Sequence, residues 1–414
     1  MKSLSGKTNS HLRIGVDVTD ITVDLHKGGI YHYIINLFSN LRDIDTENEY
    51  VLFFNYLLQV HRENCEEVMR LLEGGNMKVI RSRFPRRLRR RLHLPANLFI
   101  GNVDILHGPF DNVLPAIGCK RITTIHDIRY FDIYPRLKNA VPELSRYPID
   151  SRGFNSWNEW MKGMIRRVSS AVQKADAIIT ISDYSRDALE NILHVDKHRI
   201  HRVYNGVSPS FVPILNGDGI LKTLARYGID RDYLMFIGHI DPFKNILRMI
   251  DAYHMIKHDG GANIPRLVMI SPTRESDWFY QIVMKKIKEL SLTDDIYIAG
   301  NVPDEDIPFF YNGAEALLIP SLYEGFGLPA VEAMACGIPV VASDSCSLPE
   351  IVGDAAILVD PYSVDSIAEG MHKVLSDKGL RNKLTGRGRE RASLFSWEET
   401  ARETVKVYKE VCAS

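Results

Sequence analysis

The sequence predicts an α/β protein of two consecutive domains, each a parallel sheet with helices on both faces. Three observations carry this. The chain has 414 residues, too long for one ordinary core and suited to two at roughly 100–200 residues per domain. Its apolar runs are short, rich in Val and Ile, and separated by polar helical stretches, as in sheets buried on both faces. The alternation is interrupted at Asn205-Gly-Val-Ser-Pro-Ser210 and on through Pro213 to Gly219, where Pro, Gly and Ser concentrate, and it then restarts.

Residues 12–17 read as the first strand, followed by Gly28-Gly29 and a helix to about Leu41. Further strands are expected at 50–54, 77–80, 103–107, 121–125 and 177–181. After the break come 234–237, 267–270, 296–299, 316–319 and 340–342, and a helical tail over 398–411. The break puts the domain limits at 1–207 and 208–396.

The composition, 45% hydrophobic and 25% charged, is that of a soluble globular protein. A net charge of −1 supplies no general attraction to nucleic acid or membrane, so no nucleic-acid partner is expected and any membrane contact must be local. Cys65, Cys119, Cys336, Cys346 and Cys412 are scattered without C-x-x-C spacing, which reads as reduced thiols of a cytosolic protein. The polar first eleven residues show no secretory signal, and no apolar run approaches a membrane span.

The segment 321–337, Ser-Leu-Tyr-Glu-Gly-Phe-Gly-Leu-Pro-Ala-Val-Glu-Ala-Met-Ala-Cys-Gly, carries the chemistry. It joins a strand to a short helix, with Pro329 suited to the helix start and Gly337 to its C-terminal cap. Gly325 and Gly327 let backbone N–H groups approach a ligand, a helix N-terminus attracts phosphate, and Glu324 and Glu332 can accept from sugar hydroxyls. A ligand that is part phosphate and part polyol follows, such as a nucleotide sugar. Gly325, Gly327 and Ala330 also fit a dinucleotide fingerprint with Glu350 downstream, but that fingerprint follows the first strand of its domain and this one follows the fourth. The bland alternative is a glycine-rich turn with two incidental glutamates.

Other segments point the same way. Gly238-His-Ile-Asp-Pro-Phe-Lys-Asn245 follows the first strand of the second domain, where Lys244 can offset diphosphate charge and Asn245 can cap a helix. Gly28-Gly29 offers amides to phosphate or a leaving group, or is a plain turn. His126-Asp127 ends an apolar strand; His126 is either a ligand or a satisfied structural histidine. Asp43-Ile-Asp45 and Asp230-Arg-Asp232 read as solvated surface, so no metal is expected. Arg86, Arg87, Arg89, Arg90 and Arg91 form a basic run that a phosphate-rich membrane surface or RNA could bind, or that is a plain solvated face. Trp157 and Trp160, with Met161 and Met164, recur at helical spacing, as core or as an interfacial stripe.

Together these segments resemble the group 1 glycosyltransferases. The match is strongest over 316–361, through Pro320-Ser-Leu-Tyr-Glu-Gly-Phe-Gly-Leu-Pro329, Glu332-Ala-Met-Ala-Cys-Gly-Ile-Pro339, Ser347-Leu-Pro-Glu350 and Gly353-Asp-Ala355. The resemblance implies the GT-B fold: two Rossmann-like domains facing across a cleft, with the C-terminal helix, about 397–414, crossing back to the first. It implies that Glu324 meets the donor sugar, Glu332 the ribose, amides at Phe326, Gly327 and Leu328 the sugar and diphosphate, and Lys244 the diphosphate. Gly238, His239, Asn245 and Gly325 are implied to bind the donor as well, and backbone near Val302 meets the base. Gly28, Gly29 and His126 come from the acceptor-side domain, His126 near C6 of the sugar. His239 stands where many members have arginine, which puts diphosphate contact there in question. The implied activity is metal-independent, cofactor-free, retaining transfer, with domain closure excluding water. The donor expected is GDP-mannose, the acceptor lipid-linked or polysaccharide, and the place the cytoplasmic membrane face. A same-fold epimerase or synthase, or a non-catalytic nucleotide-sugar-binding subunit, is the alternative.

Overall fold

A computed structural model describes residues 11–19, 28–55, 66, 69–82, 94–141, 144, 151–230, 232–260, 264–272 and 276–414. The basic run at Arg86–Arg91 lies outside these residues. The chain forms two compact units.

The first unit comprises the chain up to Ile128, Ile165–Gly206 and Ser396–Ser414. Its seven parallel strands are β1 (Arg13–Asp17), β2 (Glu49–Asn55), β3 (Met77–Ser82), β4 (Ile105–Gly108), β5 (Lys120–Ile125), β6 (Ala177–Thr180) and β7 (Ile200–Arg202). They lie in the order β3-β2-β1-β4-β5-β6-β7. Central β1 and β4 pair in parallel, Ile14 opposite Ile105, and both are almost wholly buried because helices cover each face. The C-terminal helix, Trp397–Ala413, packs on the Gly29–Ile44 helix, as the resemblance implied. Its start lies so close to the 205–206 turn that a Cβ on Gly206 would sit 2.1 Å from Trp397 N.

The second unit comprises Arg129–Met164 and Val207–Phe395. It holds β8 (Tyr233–Ile237), β9 (Arg266–Ile270), β10 (Ile296–Gly300), β11 (Ala316–Ile319), β12 (Val340–Ser343) and β13 (Ile357–Val359). The order is β10-β9-β8-β11-β12-β13, again all parallel. In each sheet the chain works outward from a central strand and then restarts on that strand's other side. The restart creates a switch point, between β1 and β4 in one sheet and β8 and β11 in the other, where loops diverge at the strand C-termini.

Three details differ from expectation. The short edge strands β7 and β13 were not foreseen, since each has only three residues and polar or exposed positions. Residues 129–164 cluster with the second unit, although the domain limits read from sequence give them to the first. Asp45 is buried rather than solvated: it accepts from the Asn48 side chain at 2.7 Å and from the Tyr50 hydroxyl, closing the end of the Gly29–Ile44 helix.

Candidate active site

In the second unit, the loops after β8 and β11 meet at the switch point. Lys244 Nζ donates to Glu324 Oε1 at 2.7 Å, and Ser321 Oγ donates to the same oxygen at 2.7 Å. The ion pair is largely withdrawn from water, its side chains 16% and 7% exposed. Taking two charges out of water is costly, and such a pair is weak evidence for stability; its position argues for a ligand. Ser347 Oγ holds the backbone carbonyl of Glu324 at 2.9 Å.

The β8 loop is built to present Lys244. Gly238 leaves the strand at φ 144°, open to few residues but glycine. The Asp241 side chain caps Phe243 N at 2.8 Å, and the turn Pro242–Lys244 ends on Asn245 at φ 60°. Asn245 Nδ2 donates to Pro320 O and Pro361 O, at 2.9 and 2.6 Å, which ties this loop to the β11 loop. Burial pushes the Asp241 carboxyl up against the lowering effect of Arg129. His239, at the strand end, is exposed.

The β11 loop turns at Gly327, φ 96°, into the Leu328–Cys336 helix, with Pro329 in its first turn and Gly337 capping it at φ 80°. A side chain at Gly327 would also meet Leu348 at 2.6 Å. The Phe326 ring is buried against Phe395. Glu332 lies one turn into the helix and accepts from the Tyr311 hydroxyl at 2.7 Å. Burial raises its carboxyl from an ordinary value of 4.5 to about 7. Val302 is buried just beyond β10, the edge strand.

In the first unit, Gly28 caps the Gly29–Ile44 helix with φ −83°, and no described atom lies within 4 Å of a Cβ added at Gly29. At Gly29 neither packing nor backbone angle requires glycine. His126 Nε2 donates to Pro109 O at 2.9 Å, which leaves Nδ1 as an acceptor. Its ring meets Tyr33 edge-on at 4.6 Å, and burial lowers its pKa, so the imidazole is neutral near pH 7. Beneath it, buried His107 bridges Tyr408 Oη and Thr124 Oγ1 at 2.7 and 2.9 Å. His107 is driven to about 3 by burial and is neutral.

Trp157 and Trp160 part company. Trp157 packs among Phe154, Phe243 and Trp278, with ring centroids 5.6 to 6.0 Å away, whereas Trp160 is 53% exposed. Ser321, Tyr311, Arg248 and Asp241 were not singled out by sequence reasoning. Ser321, three residues before Glu324, and Asp241, three before Lys244, lie within segments that the sequence marks. Among the described residues no group of three or more His, Cys, Asp or Glu could hold a metal, and no helix is long and apolar enough to cross a membrane.

The profile of Glycosyltransferase Family 4 matches residues 28–211, and that of Glycosyl transferases group 1 matches 225–391. The O-antigen chain mannosyltransferase B of Escherichia coli is 33% identical over 74% of this chain and 74% of its own length. The MMP alpha-(1->4)-mannosyltransferase of Mycolicibacterium hassiacum is 30% identical over 61% of this chain and 60% of its own. HepE of Anabaena, solved in complex with UDP-glucose, shares the fold with TM-score 0.68 and 15% identity, over 97% of this chain and 100% of that one.

Proposed function

This chain belongs to the group 1 glycosyltransferases, and from that premise we propose that it transfers mannose from GDP-mannose, with retention, to a lipid-linked or polysaccharide acceptor. The observation that carries the site is the buried Lys244–Glu324 pair at the β8/β11 switch point. Support for mannose is that both relatives are named mannosyltransferases.

In this reading Lys244 and the amides of Phe326, Gly327 and Leu328 take the diphosphate, without a metal. Lys244 and Ser321 both bond Oε1 of Glu324, which leaves Oε2 to accept from the sugar. Glu332 accepts from the ribose. The first unit serves the acceptor, with Gly28, Gly29 and Nδ1 of His126 as the groups that would meet it. The acceptor hydroxyl attacks from the face the diphosphate leaves, and that phosphate takes its proton. Charge stabilisation and positioning supply the rate.

A melting-temperature screen with GDP, UDP, ADP and their sugars tests the donor, since a ligand at about 100 times its Kd adds about 2.7 kcal/mol. GDP-mannose should give the largest rise; a rise only with UDP or ADP sugars removes the GDP assignment, and none at all removes the site.

Glu332 adds a pH dependence. Its folded pKa, about 7, lies above 4.5, so the folded state holds its proton more tightly than the unfolded one. The stability it contributes is lost as pH rises from 4.5 through 7. Ribose binding needs the ionised form, so nucleotide affinity rises over the same window. Glu332→Gln should flatten both trends; an unchanged affinity profile would count against the ribose role.

The enzyme is proposed to work at the cytoplasmic membrane face, held by the basic run and by Trp160. Replacing Arg86, Arg87, Arg89, Arg90 and Arg91 with Ser should weaken co-sedimentation with anionic vesicles while transfer to a soluble acceptor persists. Undiminished sedimentation would sink the anchor.

A further inference from the structure

The Lys244 loop is gripped from outside its own sheet. Phe243, the residue before Lys244, is met by the Trp157 ring, 6.0 Å away at 36°, and by the Arg129 guanidinium, 5.7 Å from its centroid. Trp157 is backed in turn by Trp278 at 5.6 Å. The residue after Lys244 is gripped too. Buried Arg248 donates through Nη1 to Asn245 Oδ1 at 3.0 Å and to Ala140 O at 2.8 Å. Arg129, Ala140 and Trp157 all belong to the 129–164 segment of the second unit. Both neighbours of the lysine are therefore referenced to that segment, while its Nζ is aimed at Glu324.

We infer that Trp157 and Arg248 are positioning residues for Lys244, with the 129–164 segment fixing where the lysine meets the donor diphosphate. This rests on the reading of Lys244 as a diphosphate ligand. It also gives Trp157 a part in donor binding in place of a membrane contact. A misplaced charge costs most where the distal phosphate sits, and a nucleoside monophosphate lacks that group.

The test is calorimetric titration of wild type, Trp157→Leu, Trp157→Phe, Arg248→Lys and Lys244→Gln with GDP and GMP, with UDP/UMP and ADP/AMP in parallel. The pair that wild type binds is the one read. Trp157→Leu and Arg248→Lys should weaken the diphosphate about 10-fold and leave the monophosphate within about twofold. Trp157→Phe, which keeps a ring, should stay near wild type. Equal losses for both nucleotides would mean the residues only hold the fold, and would overturn the inference. If Lys244→Gln abolishes the diphosphate preference while Trp157→Leu and Arg248→Lys keep it, the inference falls and the Lys244 reading stands. If Lys244→Gln itself keeps the preference, or no pair binds, both fall. Either of the two test variants decides the matter if the other does not fold.

Discussion

Glu324→Gln should lower kcat about 10²–10³-fold, the usual cost of removing one preorganised electrostatic group. The substitution keeps the shape of the side chain and removes its charge. Lys244, only 16% exposed, then loses the negative charge of its partner at 2.7 Å, and in the proposed site the sugar loses an anionic acceptor. Ser321 keeps an oxygen to bond, so the loop after β11 should hold its course. GDP affinity should change far less than turnover, because in the proposed site the ribose rests on Glu332 and the diphosphate on the amides of Phe326 to Leu328. A variant that folds like wild type and turns over like wild type would remove Glu324 from the chemistry. Parallel loss of nucleotide binding and turnover would shift its role to the diphosphate loop.

Gly108→Ala should destabilise the protein by about 3 kcal/mol or more, at the upper end of overpacking effects. A Cβ there would lie 1.7 Å from Asn112 O and 2.8 Å from Asn112 C, both backbone atoms that no rotamer change can move. The turn it would break is tied on every side. Arg167 donates to Phe110 O at 3.0 Å and to Asp111 O at 3.2 Å, Asn112 Nδ2 reaches Asp17 Oδ2 at 3.1 Å, and His126 donates to Pro109 O. Loss of the turn therefore releases His126 as well. Gly29→Ala is the contrast, since no described atom crowds its Cβ. It should melt like wild type yet lose activity if the glycine serves a ligand. Denaturant unfolding of the two variants checks the pair: equal stability would contradict the packing argument, and full activity of Gly29→Ala would make it a plain turn.

Much of this was legible in the sequence, and the exceptions have physical reasons. The long buried strands announced themselves because burial on both faces demands unbroken apolar runs, as in Tyr233–Ile237. The edge strands β7 and β13 are short and partly exposed, so nothing in Ile200–Arg202 or Ile357–Val359 had to be apolar throughout. Glu324 and Glu332 could be read because they share one glycine-marked turn and helix. Their supports could not. Tyr311 reaches Glu332 across 21 positions, Lys244 reaches Glu324 across 80, and Arg248 reaches Ala140 across 108. The Lys244–Glu324 pairing is made by the sheet order, which places the fourth strand of the second unit beside its first, and the other two join helices brought together by packing. Trp157 shows the same limit: helical spacing identified an apolar stripe, and only the packing of 129–164 with the second unit showed what covers it.

In the proposed site a nucleotide sugar is held at the β8/β11 switch point by Lys244, Glu324 and Glu332. A crystal structure with GDP-mannose tests it most directly. The diphosphate should lie against Lys244 Nζ and the amides of Phe326 to Leu328, the ribose on Glu332 and the sugar on Glu324. A nucleotide bound instead along the β1/β4 edge of the first unit, or one leaving the Lys244–Glu324 pair untouched, would contradict it.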